Sequence, residues 1–88
     1  MNIGTQAVQI GLEWDTRTGA VSVPIYQTAT FRHPGLGQST GYDYTRSGNP
    51  TRQSLEDGMA RLDNGARACA YASGMAAIAN LLLLFRAG

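Results

Sequence analysis

The sequence predicts an α/β protein with a mostly parallel sheet, preceded by an extended N-terminal arm. Three observations carry that reading. From Asn49 onward the signals run helix, strand, helix, the alternation from which layered α/β domains are built. Residues 1–48 show little helical periodicity. Residues 75–85 contain a single polar side chain, Asn80, so the last helix is apolar on every face and belongs in the core of something larger.

Within the arm, Val21, Val23 and Ile25 alternate with Ser22 and Pro24, a short strand-like pattern that proline restricts to an edge or an extended segment. Pro34-Gly35, Gly37 and Gly41 punctuate a polar loop. So long a stretch with so little regular structure is unusual inside a compact domain, and an arm laid over another subunit or domain explains it better. Asn49 then suits an N-cap and Pro50 the first helical turn, with Glu56 and Asp57 early in the helix. Leu55, Met59 and Leu62 form one apolar stripe, and Asp63-Asn64-Gly65 ends it. Helices are expected over 49–62 and 74–85, with a short strand of small residues near 67–71 between them.

Composition sets bounds. The chain has 88 residues, below the usual domain size of about 100–150, and too little of it remains to cover the final helix. It therefore reads as the N-terminal piece of a longer protein. With 15% charged residues and a net charge of +1, nothing points to nucleic acid or an anionic membrane as partner. The final helix falls short of the ~20 residues that span a bilayer. Cys69 is the only cysteine, which suits a reducing, cytoplasmic compartment, and its small-residue surroundings suggest a buried thiol. All seven basic residues are arginines, so no lysine side chain is present to form a Schiff base.

Two short motifs carry chemistry. In Tyr42-Asp43-Tyr44-Thr45-Arg46-Ser47-Gly48-Asn49-Pro50-Thr51-Arg52, Tyr44 and Arg46 would point the same way from an extended backbone. A forked cation beside a neutral donor suits a phosphate monoester. Further on, Ala72-Ser73-Gly74-Met75 opens the last helix with a small-residue turn whose free amides suit an anion. Spacing alone leaves other readings open: Tyr44 and Arg46 as ordinary loop residues, Gly74 and Met75 as a strand-to-helix turn with a core methionine. His33 reads as a solvated or loop-bonded histidine, and Asp43 as a surface carboxylate in preference to a group that orients Arg46 or faces the substrate.

Val23-Pro24-Ile25-Tyr26-Gln27-Thr28-Ala29-Thr30-Phe31, Tyr44-Thr45-Arg46-Ser47-Gly48-Asn49-Pro50-Thr51 and Ala72-Ser73-Gly74-Met75, in this order and spacing, resemble the N-terminal portion of the Cys/Met-metabolism (trans-sulfuration) enzymes that use pyridoxal 5′-phosphate (PLP). The resemblance covers about Thr5 to Gly88. It implies the start of a type I, aspartate-aminotransferase-like fold, with residues 1–48 as an arm contacting a neighbouring subunit and 49–88 as the beginning of the PLP-binding domain. It implies that Tyr44 and Arg46 reach the cofactor phosphate of a neighbouring chain, and that Gly74 and Met75 hold the phosphate of their own through backbone amides. No catalytic residue falls within the chain, since the position of the Schiff-base lysine lies beyond it, and no metal is implied. The substrates implied are sulfur amino acids or homoserine esters, in a homo-oligomer built as a dimer of dimers.

The type of reaction stays open. Cystathionine γ-synthase and γ-lyase chemistry leads; methionine γ-lyase, O-acetylhomoserine sulfhydrylase and cystathionine β-lyase are alternatives. Ser47 counts against the β-lyase type, because some members acting on dicarboxylic amino acids carry a second arginine there. A rival of another class is a non-catalytic anion-binding or interaction module. The 88 residues alone are expected to be inactive.

Overall fold

The computed structural model describes residues 2–12 and 15–86. Among them are three helices, α1 (Ile3–Gln9), α2 (Pro50–Leu62) and α3 (Gly74–Leu82). The last two lie where the sequence places them.

The first is the one helix among the described residues of the arm, most of which is extended or irregular as expected. Asn2 starts α1 by accepting the Gly4 amide on its side chain at 2.7 Å, which satisfies one of the orphan donors of a helix start. The helix is too short to show a periodic stripe, so its only signal in the sequence is that cap. Ile10, just beyond it, packs on Gly58 of α2 so closely that a Cβ on Gly58 would lie 2.6 Å from Ile10 Cγ2. Glycine at 58 lets the two segments touch.

α2 has the expected ends. The side chain of Asn49 accepts from the Thr51 amide, with Pro50 in the first turn; Glu56 and Asp57 fall in the middle of the helix rather than early in it, and its first turn holds no acidic residue. At the other end Asn64 takes a left-handed backbone with φ 53°. Gly65 N–H bonds back to the Ala60 carbonyl at 2.8 Å and Asn64 N–H to the Arg61 carbonyl at 3.2 Å, the paired bonds of a Schellman ending. The Leu55–Met59 stripe is not the covered face: these side chains remain 52% and 43% exposed, while Gly58 is buried.

Residues 66–72 form no strand among the described residues, a correction. A strand exists only with a neighbour to pair with, and here the segment runs beside α2, held by the Ala70 amide donating to Glu56 Oε2 at 2.8 Å. For the same reason Cys69 is exposed rather than buried. Extended pairing appears instead in the arm. Thr30 and Tyr44 form an antiparallel bridge, flanked by Phe31 N–H to the Asp43 carbonyl at 3.2 Å and Thr45 N–H to the Ala29 carbonyl at 2.9 Å. The rings of Phe31 and Tyr42 lie against it, 5.7 Å between centroids.

α3 ends three residues earlier than expected, at Leu82. Bonds from Leu83, Leu84 and Phe85 to the carbonyls three residues back tighten the spiral beyond it, a common finish to an α-helix. No hydrophobic side chain is buried among the described residues. Leu83, Leu84 and Phe85 are 80%, 78% and 69% exposed, the surface expected of a helix built to be covered.

Candidate phosphate-binding site

Asn49 organises the first half of the site. It is buried, at 5% exposure, and uses every polar atom of its side chain. Oδ1 caps α2 through the Thr51 amide at 2.8 Å, and Nδ2 donates to the Tyr26 carbonyl and to Thr45 Oγ1, each at 3.1 Å. Thr51 answers by accepting the Tyr26 amide on its hydroxyl at 2.8 Å, and Thr45 Oγ1 donates to the Thr28 carbonyl. The arm is thus tied to the start of α2 by side chains of Asn49-Pro50-Thr51.

That anchorage presents Tyr44 and Arg46 together, though not from the extended backbone the sequence suggests. Ser47 and Gly48 amides both return to the Tyr44 carbonyl at 2.9 Å, so residues 44–48 form a turn. The Arg46 guanidinium lies over the Tyr44 ring, 4.8 Å from its centroid, and donates to the phenol oxygen. Tyr44 accepts there, which leaves its own hydroxyl proton to be given elsewhere. Arg46 is exposed and Tyr44 half-buried, on the wall of a shallow recess shared with Gln27, Thr28 and Ala29.

Asp43 does not turn toward Arg46. Its carboxylate takes Ser39 Oγ at 2.9 Å and His33 Nε2 at 2.6 Å. These contacts, the Ser39 hydroxyl first and His33 second, hold it below the usual carboxylate range. The negative charge is spent on closing the 33–43 loop, leaving the Arg46 charge available to an anion.

The second half is the start of α3. Ser73 caps it by accepting the Ala76 amide at 3.1 Å, and Ala77 N–H reaches the Ser73 carbonyl at 3.2 Å. The Gly74 and Met75 amides, in the first turn of the helix, find no acceptor among the described residues. A Cβ on Gly74 would meet nothing within 4 Å, so neither packing nor a left-handed backbone within the chain calls for glycine there. Met75 is 72% exposed, which sets aside a core role for it within these residues. The cleft of about 900 Å³ that Arg46 lines runs past Asn49, Arg52 and Glu56 to Ala72, and Gly74 and Met75 are not among its walls.

The sequence pattern of the Cys/Met metabolism PLP-dependent enzymes matches residues 4–88. The chain belongs to that family. A cystathionine γ-synthase/O-acetylhomoserine (thiol)-lyase of Bacillus subtilis (strain 168) is 52% identical over 87 residues, covering 99% of this chain and 23% of that protein. A cystathionine β-lyase of Lactococcus lactis subsp. cremoris (strain MG1363) is 51% identical over the same length, with the same coverage of each chain. The crystal structure of cystathionine γ-lyase from Lactobacillus plantarum complexed with L-serine superposes with a TM-score of 0.87 at 46% identity, over 100% of this chain and 23% of the other. The superposition supports the type I fold, and the chain spans under a quarter of the length of these relatives. A γ-synthase and a β-lyase stand equally near, so these residues do not separate the reaction types.

The family is PLP-dependent, and the donors present fit that cofactor's phosphate. A guanidinium, a phenol with a free proton and two unpaired amides at a helix start all offer hydrogen bonds or positive charge to a dianion. Among the described residues no cluster of His, Cys, Asp or Glu could hold a metal, and no helix is long and apolar enough to cross a membrane.

Proposed function

We propose that this chain is the N-terminal part of a PLP-dependent enzyme acting on sulfur amino acids or activated homoserine esters, of the cystathionine γ-synthase/γ-lyase type. In this reading residues 1–48 are an arm over a neighbouring subunit and 49–88 open the PLP-binding domain of a cytoplasmic homo-oligomer, a dimer of dimers. Tyr44 and Arg46 hold the phosphate of the neighbour's cofactor, and the Gly74 and Met75 amides that of their own. The observation that supports the assignment is the match of the Cys/Met metabolism PLP-dependent enzymes over residues 4–88, with Arg46 and Tyr44 held together and free amides at the start of α3.

Bound PLP supplies the electron sink for proton removal at the α- and β-carbons, so that a γ-substituent can leave or be replaced. This chain's residues bind and orient. Arg46 and the Tyr44 hydroxyl would hold the neighbour's phosphate from one side, and the α3 amides would hold their own subunit's phosphate with the favourable end of the helix dipole. A phosphate fixed at both sides sets where the ring lies against residues elsewhere in the enzyme.

The apolar surface of α3 favours this reading over a self-contained anion-binding module, which would leave Leu83, Leu84 and Phe85 in water. The test is the PLP affinity of the full-length Arg46→Ala enzyme. Loss of a charge-assisted contact of about 1.5–3 kcal/mol should weaken binding by about one to two decades. Unchanged affinity would sink the assignment.

A further inference from the structure

We infer that Arg52 and Glu56 are positioning residues that fasten both phosphate half-sites to one face of α2; the inference rests on the phosphate assignment of Tyr44, Arg46, Gly74 and Met75. The two residues are one helical turn apart and therefore share a face. Arg52 Nη1 donates to the Thr45 carbonyl at 3.3 Å, and Thr45 sits between Tyr44 and Arg46 in the turn that presents them. Glu56 Oε2 accepts the Ala70 amide at 2.8 Å, on the segment that leads into Ser73-Gly74-Met75. Arg52 Nε stands 3.8 Å from the same Glu56 oxygen. The connection is continuous: Thr45 carbonyl, Arg52, Glu56, Ala70 amide.

An ion pair between residues four apart on a helix is by itself worth little. What distinguishes this one is the destination of its other contacts. Both go to main-chain atoms of segments outside α2, 7 and 14 residues away in sequence. Side chain-to-backbone contacts of this kind fix a segment's position whatever its own side chains are. The pair is also more covered than the Arg46 side of the site, with side chains 35% and 21% exposed. The Arg52 charge is matched by Glu56, so Arg52 is a holder of the turn and not a further phosphate ligand. Together the two contacts set the distance between an arm that serves one cofactor and a helix start that serves another.

The test compares dissociation constants of PLP and of pyridoxal, which lacks the phosphate, for the full-length apoenzyme and its Arg46→Ala, Arg52→Ala, Arg52→Lys, Glu56→Ala and Glu56→Gln variants. Each alanine change at 52 or 56 should weaken PLP about fivefold or more, the worth of one lost hydrogen bond, with pyridoxal unchanged. Hydrogen exchange at the Ala70 amide should rise in Glu56→Ala. Glu56→Gln keeps an acceptor and should lose less PLP affinity than Glu56→Ala; Arg52→Lys should behave likewise relative to Arg52→Ala. If the alanine variants fail to fold, the Gln and Lys variants carry the same PLP-against-pyridoxal comparison. Equal weakening of PLP and pyridoxal would overturn the inference, as would unchanged PLP affinity in these variants while Arg46→Ala loses it. If Arg46→Ala itself binds PLP as the parent does, the phosphate assignment fails first and the inference with it.

Discussion

Replacing Asn49 should loosen the arm as well as the helix it caps, and the two effects can be separated. In Asn49→Ala the cap on Thr51 is lost, at about 0.5–2 kcal/mol. The Tyr26 carbonyl also loses its partner, at about 1–3 kcal/mol for a group left unsatisfied where burial is substantial. Thr45 Oγ1 keeps its bond to Thr28 and adds little. The combined cost is about 2–4 kcal/mol, allowing for overlap between neighbouring effects. Asn49→Asp keeps the acceptor for Thr51 but replaces both donors with an oxygen facing the Tyr26 carbonyl, so it should release the arm while sparing the cap. Hydrogen exchange in the full-length protein reads both. The Tyr26 amide, bonded to Thr51 Oγ1 at 2.8 Å, and the Thr45 amide, bonded to Ala29 at 2.9 Å, should exchange about fivefold faster or more in both variants. The first turn of α2 should change only in Asn49→Ala. If Asn49→Asp left Tyr26 and Thr45 as protected as before, the two 3.1 Å donor contacts would not be what holds the arm, and the reasoning would be wrong.

Gly58→Ala sets a helix-propensity gain of about 1 kcal/mol against overpacking of about 1–3 kcal/mol, because the new Cβ would lie 2.6 Å from Ile10 Cγ2. A lowered Tm is expected, with recovery in the Gly58→Ala, Ile10→Ala double variant; a raised Tm in the single variant would show that α1 does not pack there. The 33–43 loop should respond to acid. Asp43 has its pKa lowered in the folded chain by Ser39 and His33, so its contribution is full above the ordinary carboxylate range and is lost as the pH falls through the lowered value. Amide exchange across the loop at graded pH should show that onset in the parent and lack it in Asp43→Asn. The 88-residue chain expressed alone should aggregate, since Leu83, Leu84 and Phe85 stay exposed, and with no lysine it should release no thiol or ammonia from sulfur amino acids; light scattering and a turnover assay check both, and a dispersed, active monomer would refute it.

Local chemistry made much of this legible in the sequence. Asn49-Pro50 and Asp63-Asn64-Gly65 each act within a few residues, so the ends of α2 could be read directly; Ser73-Gly74 likewise marks the start of α3. What failed depends on partners distant in sequence. The 66–72 segment reads as a strand from its residues, but pairing is a property of two segments, and the described residues supply only one. The burial assigned to Cys69 fails with it. α1 leaves no periodic signature, because it is short and is held by one Asn cap and by Ile10 on Gly58. For the site, the residue types pointed to phosphate while the geometry that unites Tyr44 and Arg46 is a turn, closed by amides that carry no side-chain signal. The clasp of Asn49 on Tyr26 and Thr45, and the reach of Arg52 and Glu56 to Thr45 and Ala70, join residues that no local pattern connects.

The most direct measurement of the central claim uses mixed oligomers. If Tyr44 and Arg46 serve a neighbour's cofactor while Gly74 and Met75 serve their own, each site draws one half from each of two subunits. Subunits carrying Arg46→Ala are co-assembled with subunits carrying Gly74→Val, at whose Cβ the described residues place no other group within 4 Å. In a mixed pair one site then receives both defects and the other receives neither. Titration with PLP should show half of the sites at parental affinity, although neither variant binds so tightly alone. Uniformly weak binding in the mixed oligomers would contradict the account, because it would place all four residues at the phosphate of a single subunit.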